Sequence, residues 1–202
     1  MADEEPRQPA VENGQLIYTS ISAMQKFRRC QAQWHFRYVL RRPDKPPSKG
    51  QIRGTQGHKR IEHYLRTAED VLDPLERLGK KFMPAPGKDL WLEEEFGKRA
   101  QLSAAGVPMK GYIDLANLRD PNWIEITDWK FRKTLDYAST ARNLIDPKKD
   151  DGLQMIGYAA SLGNHLQHQN PTIRLRHVTF QHEGRRDVVG TDPVSIPLHT
   201  AI

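Results

Sequence analysis

The chain has 202 residues, 37% of them hydrophobic and 28% charged, which suits one domain with a sizeable core and excludes a disordered composition. Its single cysteine, Cys30, excludes an internal disulfide and a four-thiolate cluster. The formal charge is +6, and the first 13 residues carry four acids against one base, leaving +9 on the remainder; so basic a body points to a polyanion, nucleic acid before membrane.

Residues 1 to about 16 read as a flexible acidic leader ahead of one domain over 17–202. Met1 to Ala10 lacks the basic start and apolar stretch of a signal peptide. No apolar run approaches the roughly 20 residues that span a bilayer. The expectation is a soluble cytoplasmic protein, nuclear or mitochondrial in a eukaryote, with no membrane contact.

Ser20 or Ser22 can cap a helix running to about Leu40. The Pro- and Lys-rich stretch from Arg41 to Gly50 must be a loop. A second helix is expected over Ile52–Thr67, with Gly54 and Gly57 near its start and His58, Ile61 and Leu65 on one face. Asp70 to Lys81 reads as a third helix, ended by Pro84-Ala85-Pro86-Gly87. Strands are expected at Leu90–Phe96, Val107–Leu118 and Trp123–Phe131, the last two joined by the turn Arg119–Asn122. Residues 132–149 are a long polar connection. At that length a functional lid or an added short helix is expected. Gly152–Gln167 reads as a helix and Ile173–Gln181 as a closing strand; the tail after Gly184 carries no clear pattern. Helices, strands, a helix and a strand in that order predict an α/β sandwich around a mixed sheet.

A hairpin centred near position 121 pairs residues whose numbers sum to 242. Asp114 and Asp128 meet that condition. Opposed carboxylates about 4.5–5.5 Å apart at Cβ repel and destabilise a sheet, and a divalent cation between them reverses the sign. Alternation puts Ile124, Ile126, Asp128 and Lys130 on one face of their strand. The bland alternative is a salt-bridged edge in which Lys130 neutralises one acid. A register slip of one residue would move one acid to the other face.

At these residues the chain resembles the RecB-like branch of the PD-(D/E)XK nuclease superfamily. The resemblance covers about Ser20 to Phe180. It rests on five pieces in order: the Ser20–Cys30 helix with aromatics up to Tyr38, Gly54-Thr55-Gln56-Gly57-His58, Lys110-Gly111-Tyr112-Ile113-Asp114, Ile126-Thr127-Asp128-Trp129-Lys130, and Gln154 with Tyr158. It implies a restriction-endonuclease-like core and an Mg²⁺- or Mn²⁺-dependent deoxyribonuclease, chiefly an exonuclease, in recombination, repair or viral DNA processing. It also implies His58, Asp114, Asp128 and the Trp129 backbone carbonyl as metal ligands, and Lys130 as the catalytic lysine. Gln154 and Tyr158 would support the site and contact DNA, with Arg132 and Lys133 holding a strand nearby. Some members carry an iron–sulfur cluster; Cys30 has no partner cysteines, so none is expected here. Helicase motifs are absent, so a standalone nuclease domain is expected, or one that borrows a motor from a helicase or recombination partner. One alternative is a non-catalytic nucleic-acid-binding module on a decayed nuclease fold. Another is a metal protein of a different kind, suggested by eight histidines.

Among the neighbours, Glu93, Glu94 and Glu95 lie on a strand from which one carboxylate can lean toward the metal. The cluster Arg28, Arg29, Arg37, Arg41 and Arg42, with Trp34 and Tyr38, can offer phosphate contacts and stacking. Against that, the aromatics can be core and the arginines merely solvated; for Trp34 the core reading is favoured.

Overall fold

The computed structural model describes residues 11–42, 45–96, 103–104, 106–165 and 172–196. Strands β1 (Val11–Glu12) and β2 (Gln15–Leu16) form a hairpin through Asn13 and Gly14, whose φ angles are 50° and 76°. Asn-Gly is the pair that a tight two-residue hairpin turn selects. Residues 11–16, expected as flexible leader, are therefore folded back on themselves; residues 1–10 lie outside the described residues.

Helix α1 (Ile21–Arg29) starts at Ser20, whose hydroxyl accepts the Ala23 N–H at 3.2 Å. The helix does not run unbroken to Leu40. Cys30 is extended, with φ −161°, and separates α1 from α2 (Gln31–Trp34), which continues into a π-helical turn over His35–Val39. Helix α3 (Lys49–Thr67) starts before the expected Ile52, because Ser48 and Gln51 cap each other reciprocally. Gly54 and Gly57 thus lie inside the helix. Helix α4 (Pro74–Leu78) starts later than the expected Asp70. Pro74 forces the residue before it out of helical geometry, and Asp73, with ψ 174°, caps the Leu75 and Glu76 N–H groups instead.

The strands are β3 (Leu90–Phe96), β4 (Ser103–Ala104), β5 (Val107–Pro108), β6 (Gly111–Asn117) and β7 (Trp123–Arg132). After helix α5 (Asp150–His165) come β8 (Thr172–Gln181), β9 (Asp187–Gly190) and β10 (Val194–Ile196). The last two lie in the tail that had no readable pattern. The end of the expected Gly152–Gln167 helix, Leu166 and Gln167, lies outside the described residues. The single strand expected over Val107–Leu118 divides, and Thr19 bonds across the gap to Pro108 O and the Lys110 N–H, both at 2.8 Å. The connection after β7 holds two 3-10 turns, Leu135–Tyr137 and Ala141–Ile145, which agrees with an added short helix.

Among the described residues the main sheet runs β10–β8–β7–β6–β3, with β9 also on β8. Only the β7–β8 pair is parallel within it; the other pairs are antiparallel. On one face α1 and α5 set Ile21, Met155, Tyr158 and Leu162 against Ile124, Ile126, Ile173 and Leu175. On the other, α3 and α4 set Ile61, Leu65 and Leu75 against Leu115, Trp129, Val178 and Phe180. A fully buried side chain of this kind contributes about 1.5–3 kcal/mol. A mixed sheet covered by helices on both faces is the restriction-endonuclease-like core that the resemblance implies.

Two details fix α3. A Cβ on Gly57 would fall 2.1 Å from Cζ of Phe131, so only glycine allows this approach of helix to sheet. Fully buried Glu76 accepts from Arg60 at 3.0 and 2.9 Å, which ties α4 to α3. No helix among the described residues is long and apolar enough to cross a membrane.

Candidate active site

Strands β6 and β7 pair Leu115 with Thr127, Ala116 with Ile126 and Asn117 with Glu125, each summing to the predicted 242. At the next position, Asp114 and Asp128, the ladder opens. The Trp129 N–H donates to Asp114 Oδ2 at 2.9 Å rather than to a backbone carbonyl. On the other side β3 pairs Leu92 with Leu115 and Glu94 with Ile113, skipping Glu93, whose φ is 49°. A non-glycine residue held in that left-handed region costs about 1–3 kcal/mol and persists where the surroundings demand it, often at functional sites. The regular alternation of β6 fails here too. Ile113 joins the core under α5, whereas Leu115 joins the core under α3. Asp114 is therefore freed from a flat ladder on both sides.

His58 reaches this gap from α3. Its Nε2 lies 2.8 Å from the Trp129 carbonyl oxygen. A carbonyl only accepts, so Nε2 carries the hydrogen, and Nδ1 faces Glu93 Oε1 at 3.5 Å and Asp114 Oδ2 at 3.6 Å. An imidazole anchored through one nitrogen, with the other turned toward carboxylates, is the arrangement of a histidine metal ligand. Donor atoms of His58, Glu93 and Asp114 all lie within 4.8 Å of one another. Two hard carboxylates and one imidazole suit a divalent cation. The Trp129 carbonyl, expected on the metal, accepts from His58.

Asp128 sits beside this trio in a polar cluster of its own. Its Oδ1 accepts from Lys130 Nζ at 3.0 Å and Gln154 Nε2 at 2.8 Å. Gln154 also accepts from Lys130 Nζ at 2.9 Å and donates to the Tyr158 hydroxyl at 2.6 Å. Asp128 Oδ2 lies 2.8 Å from Lys130 Nζ and 3.2 Å from His177 Nε2, neither contact aligned as a hydrogen bond. That buried oxygen is open to a further partner.

Electrostatics follow from the crowding. Burial opposes the His58 imidazolium, but Asp114, Glu93 and Asp128 outweigh it and raise the pKa to about 9. Burial pushes the Asp114 carboxyl up to about 7, with Asp128 adding to the rise against His58 and Lys130. Asp128 resists its own burial and stays below the ordinary carboxylate value because Lys130 is beside it. Lys130, likewise buried, is held above its ordinary value by Asp128 and Asp114. Burial lifts the Tyr158 hydroxyl well above its usual range and lowers His177.

All of these side chains except His177 line one open cleft of about 970 Å³ between α1, α3 and the sheet, together with Lys59, Lys110 and Lys133. Arg132 is not in its wall. Its guanidinium donates to Asp151 at 3.2 and 3.3 Å, whereas Lys133 lines the cleft. Lys133 itself lies 3.4 Å from Glu183 in an exposed pair. Two participants were not identified from the sequence. Glu93 was one of three equivalent glutamates. His177 sits among the core positions of β8, on the parity of Ile173 and Leu175. A histidine on that apolar parity was a signal, but its parallel register with Asp128 was needed to interpret it.

Residues 18–85 match the PD-(D/E)XK nuclease superfamily. The matched stretch holds α1 through α4 and brings in His58. It ends before β6 and β7, so Asp114, Asp128 and Lys130 stand on geometry. No curated protein matches the chain. The similarity is to nucleases, a superfamily whose members use divalent metals, and the donor trio here fits that chemistry.

Proposed function

We propose that this protein is a divalent-metal-dependent nuclease that hydrolyses DNA phosphodiester bonds in the cleft between α1 and α3. The observation that carries the reading is the convergence of His58, Glu93 and Asp114 beside the Asp128–Lys130 pair. The basic body favours a polyanionic substrate, and the superfamily match favours a nuclease. DNA, a preference for strand ends and a role in recombination, repair or viral DNA processing extend that reading, as does a partner that supplies a motor.

His58, Glu93 and Asp114 would hold the cation, with Asp128 adjacent. A divalent cation bound there supplies charge neutralisation at the phosphate and acidifies water. The protein's own residues do the rest. Lys130 keeps its proton and places a fixed positive charge where a phosphate oxygen gains negative charge. Gln154 accepts from Lys130 and donates to Asp128, and Tyr158 accepts from Gln154. Trp129 fixes the His58 ring through its carbonyl.

The test is cleavage of single- and double-stranded DNA and RNA in Mg²⁺ and in Mn²⁺. Cutting should vanish in EDTA and in Asp114→Asn. A well-folded wild type that binds DNA but never cuts it, with either ion, would make the protein a binding module on a nuclease fold.

A further inference from the structure

The arm that leaves the cleft along α1 has a composition the catalytic cluster does not explain. Residues 21–42 contain six cations (Lys26, Arg28, Arg29, Arg37, Arg41 and Arg42) and no acid. Aromatic residues are interleaved with them, and not all are core. Trp34 and Tyr38 pack on each other at 5.8 Å, and Tyr38 is buried. Phe36, by contrast, is 46% exposed and Leu40, one turn on, is 49% exposed. Phe27, which meets Trp34 edge-on, is 44% exposed.

The backbone supports this display. The π-helical turn places Phe36, and the chain then reverses through Arg41, at φ 48°, so that the Arg42 N–H reaches Phe36 O at 2.9 Å. The Arg42 guanidinium lies 5.2 Å over the Phe36 ring. π-helical turns occur frequently at functional sites. The arm is also anchored. Arg28 donates to the Pro147 and Lys148 carbonyls at 2.9 and 2.8 Å, and Arg29 pairs with Asp150 at 3.2 Å. Its base is a wall of the cleft, through Ser20, Ser22 and Gln25.

Exposed rings within a stretch that holds six cations and no acid have one well-matched occupant. Unpaired bases stack on aromatic faces while their phosphates meet arginine and lysine. A duplex hides its base faces and gains only the charge term. On the nuclease reading given above, we infer that the α1–α2 arm is a stacking platform for a single-stranded segment of the substrate, with Phe36 and Arg42 at its centre. Gln25 is the last residue of α1 in the cleft wall, and the platform lies beyond it, past the end of α1 at Arg29. It therefore acts on strands longer than a few nucleotides.

The test is fluorescence anisotropy in EDTA, so that nothing is cut, with a labelled single-stranded 20-mer and its duplex. Wild type should bind the single strand more tightly. Phe36→Ala should weaken single-strand binding by about fivefold or more, the low end for one base on one ring, with little effect on the duplex. Phe36→Trp should retain it. Arg42→Gln should weaken binding and lower the salt slope by about one. Cleavage of a p-nitrophenyl ester of thymidine 5′-phosphate, which reaches only the cleft, should be unchanged in all three. Equal losses on single strand and duplex would overturn the platform, leaving only general charge. Unchanged single-strand binding by Phe36→Ala, in a protein that cuts DNA in Mn²⁺, would overturn it and assign the rings to a protein partner. A wild type that neither cuts nor binds any strand would defeat the nuclease reading itself, and the platform with it.

Discussion

Loading a cation onto His58 should expel a proton, and the structure sets how many and at what pH. In the metal-free protein His58 holds its proton with a pKa of about 9, because Nδ1 faces Glu93 and Asp114. A metal needs that nitrogen bare. At pH 8 binding should therefore release about 0.9 proton from His58, and through His58 apparent affinity should rise about ninefold from pH 7 to 8 and about fivefold from pH 8 to 9. Below pH 7 the slope should steepen, since Asp114, raised to about 7, must also lose its proton. The same group sets a stability trend. His58 binds its proton more tightly folded than unfolded, so its contribution is complete below pH 6.5 and is lost as pH rises through 9. The shift corresponds to about 3 kcal/mol. The metal-free protein should thus melt at lower temperature at pH 9 than at pH 7, and saturating Mn²⁺ should reverse that loss. Calorimetric titration with Mn²⁺ in two buffers of different ionisation enthalpy counts the protons; thermal melts with and without Mn²⁺ read the stability. His58→Gln should abolish the proton release at pH 8. A wild type whose Mn²⁺ affinity is flat from pH 7 to 9, with no proton released, would refute the assignment of His58 as a ligand.

Lys130→Ala should lower kcat by about 10²–10³-fold with metal affinity nearly unchanged, since it removes a donor aimed at developing charge; single-turnover cleavage beside a Mn²⁺ titration separates the two. Gly57→Ala should cost about 1–3 kcal/mol by overpacking against Phe131, read as a lower urea midpoint. It should also weaken Mn²⁺ binding, because α3 carries His58. Arg60→Ala should destabilise the fold by about 1–3 kcal/mol, since it leaves the buried Glu76 carboxylate with only the Asp73 N–H and the longer Arg53 contact; Glu76→Gln in the same background should recover part of that loss in a chemical melt. Arg132→Ala should leave DNA affinity nearly unchanged, whereas Lys133→Ala should weaken it, because only Lys133 lines the cleft.

Local chemistry made several parts of this protein readable in advance. Asp114 and Asp128 were placed opposite each other by counting from the turn, and the observed pairs on that hairpin keep the same register. Lys130 fell beside Asp128 because alternate residues share a face. Gln154 and Tyr158, four apart on a helix, meet as such spacing requires. The same kind of signal was present but unread at Asn13-Gly14, a tight-turn pair inside a stretch taken as leader, and at Asp73-Pro74, which sets the start of α4.

Other features exist only once distant segments are packed. Glu93 differs from Glu94 and Glu95 because it sits opposite Asp114, where the ladder skips a residue and turns its backbone left-handed. His177 reaches Asp128 through a parallel pairing across 49 positions, which no turn or spacing encodes. Arg132 stands outside the cleft wall and donates to Asp151 at the start of α5, a partner 19 positions away. Sequence alone determined which side chains could carry charge and which faces would be apolar, since those depend on residue type and on a period of two or 3.6. Tertiary structure decided which acids share a cavity, since electrostatic coupling depends on distance in space and on exclusion of water.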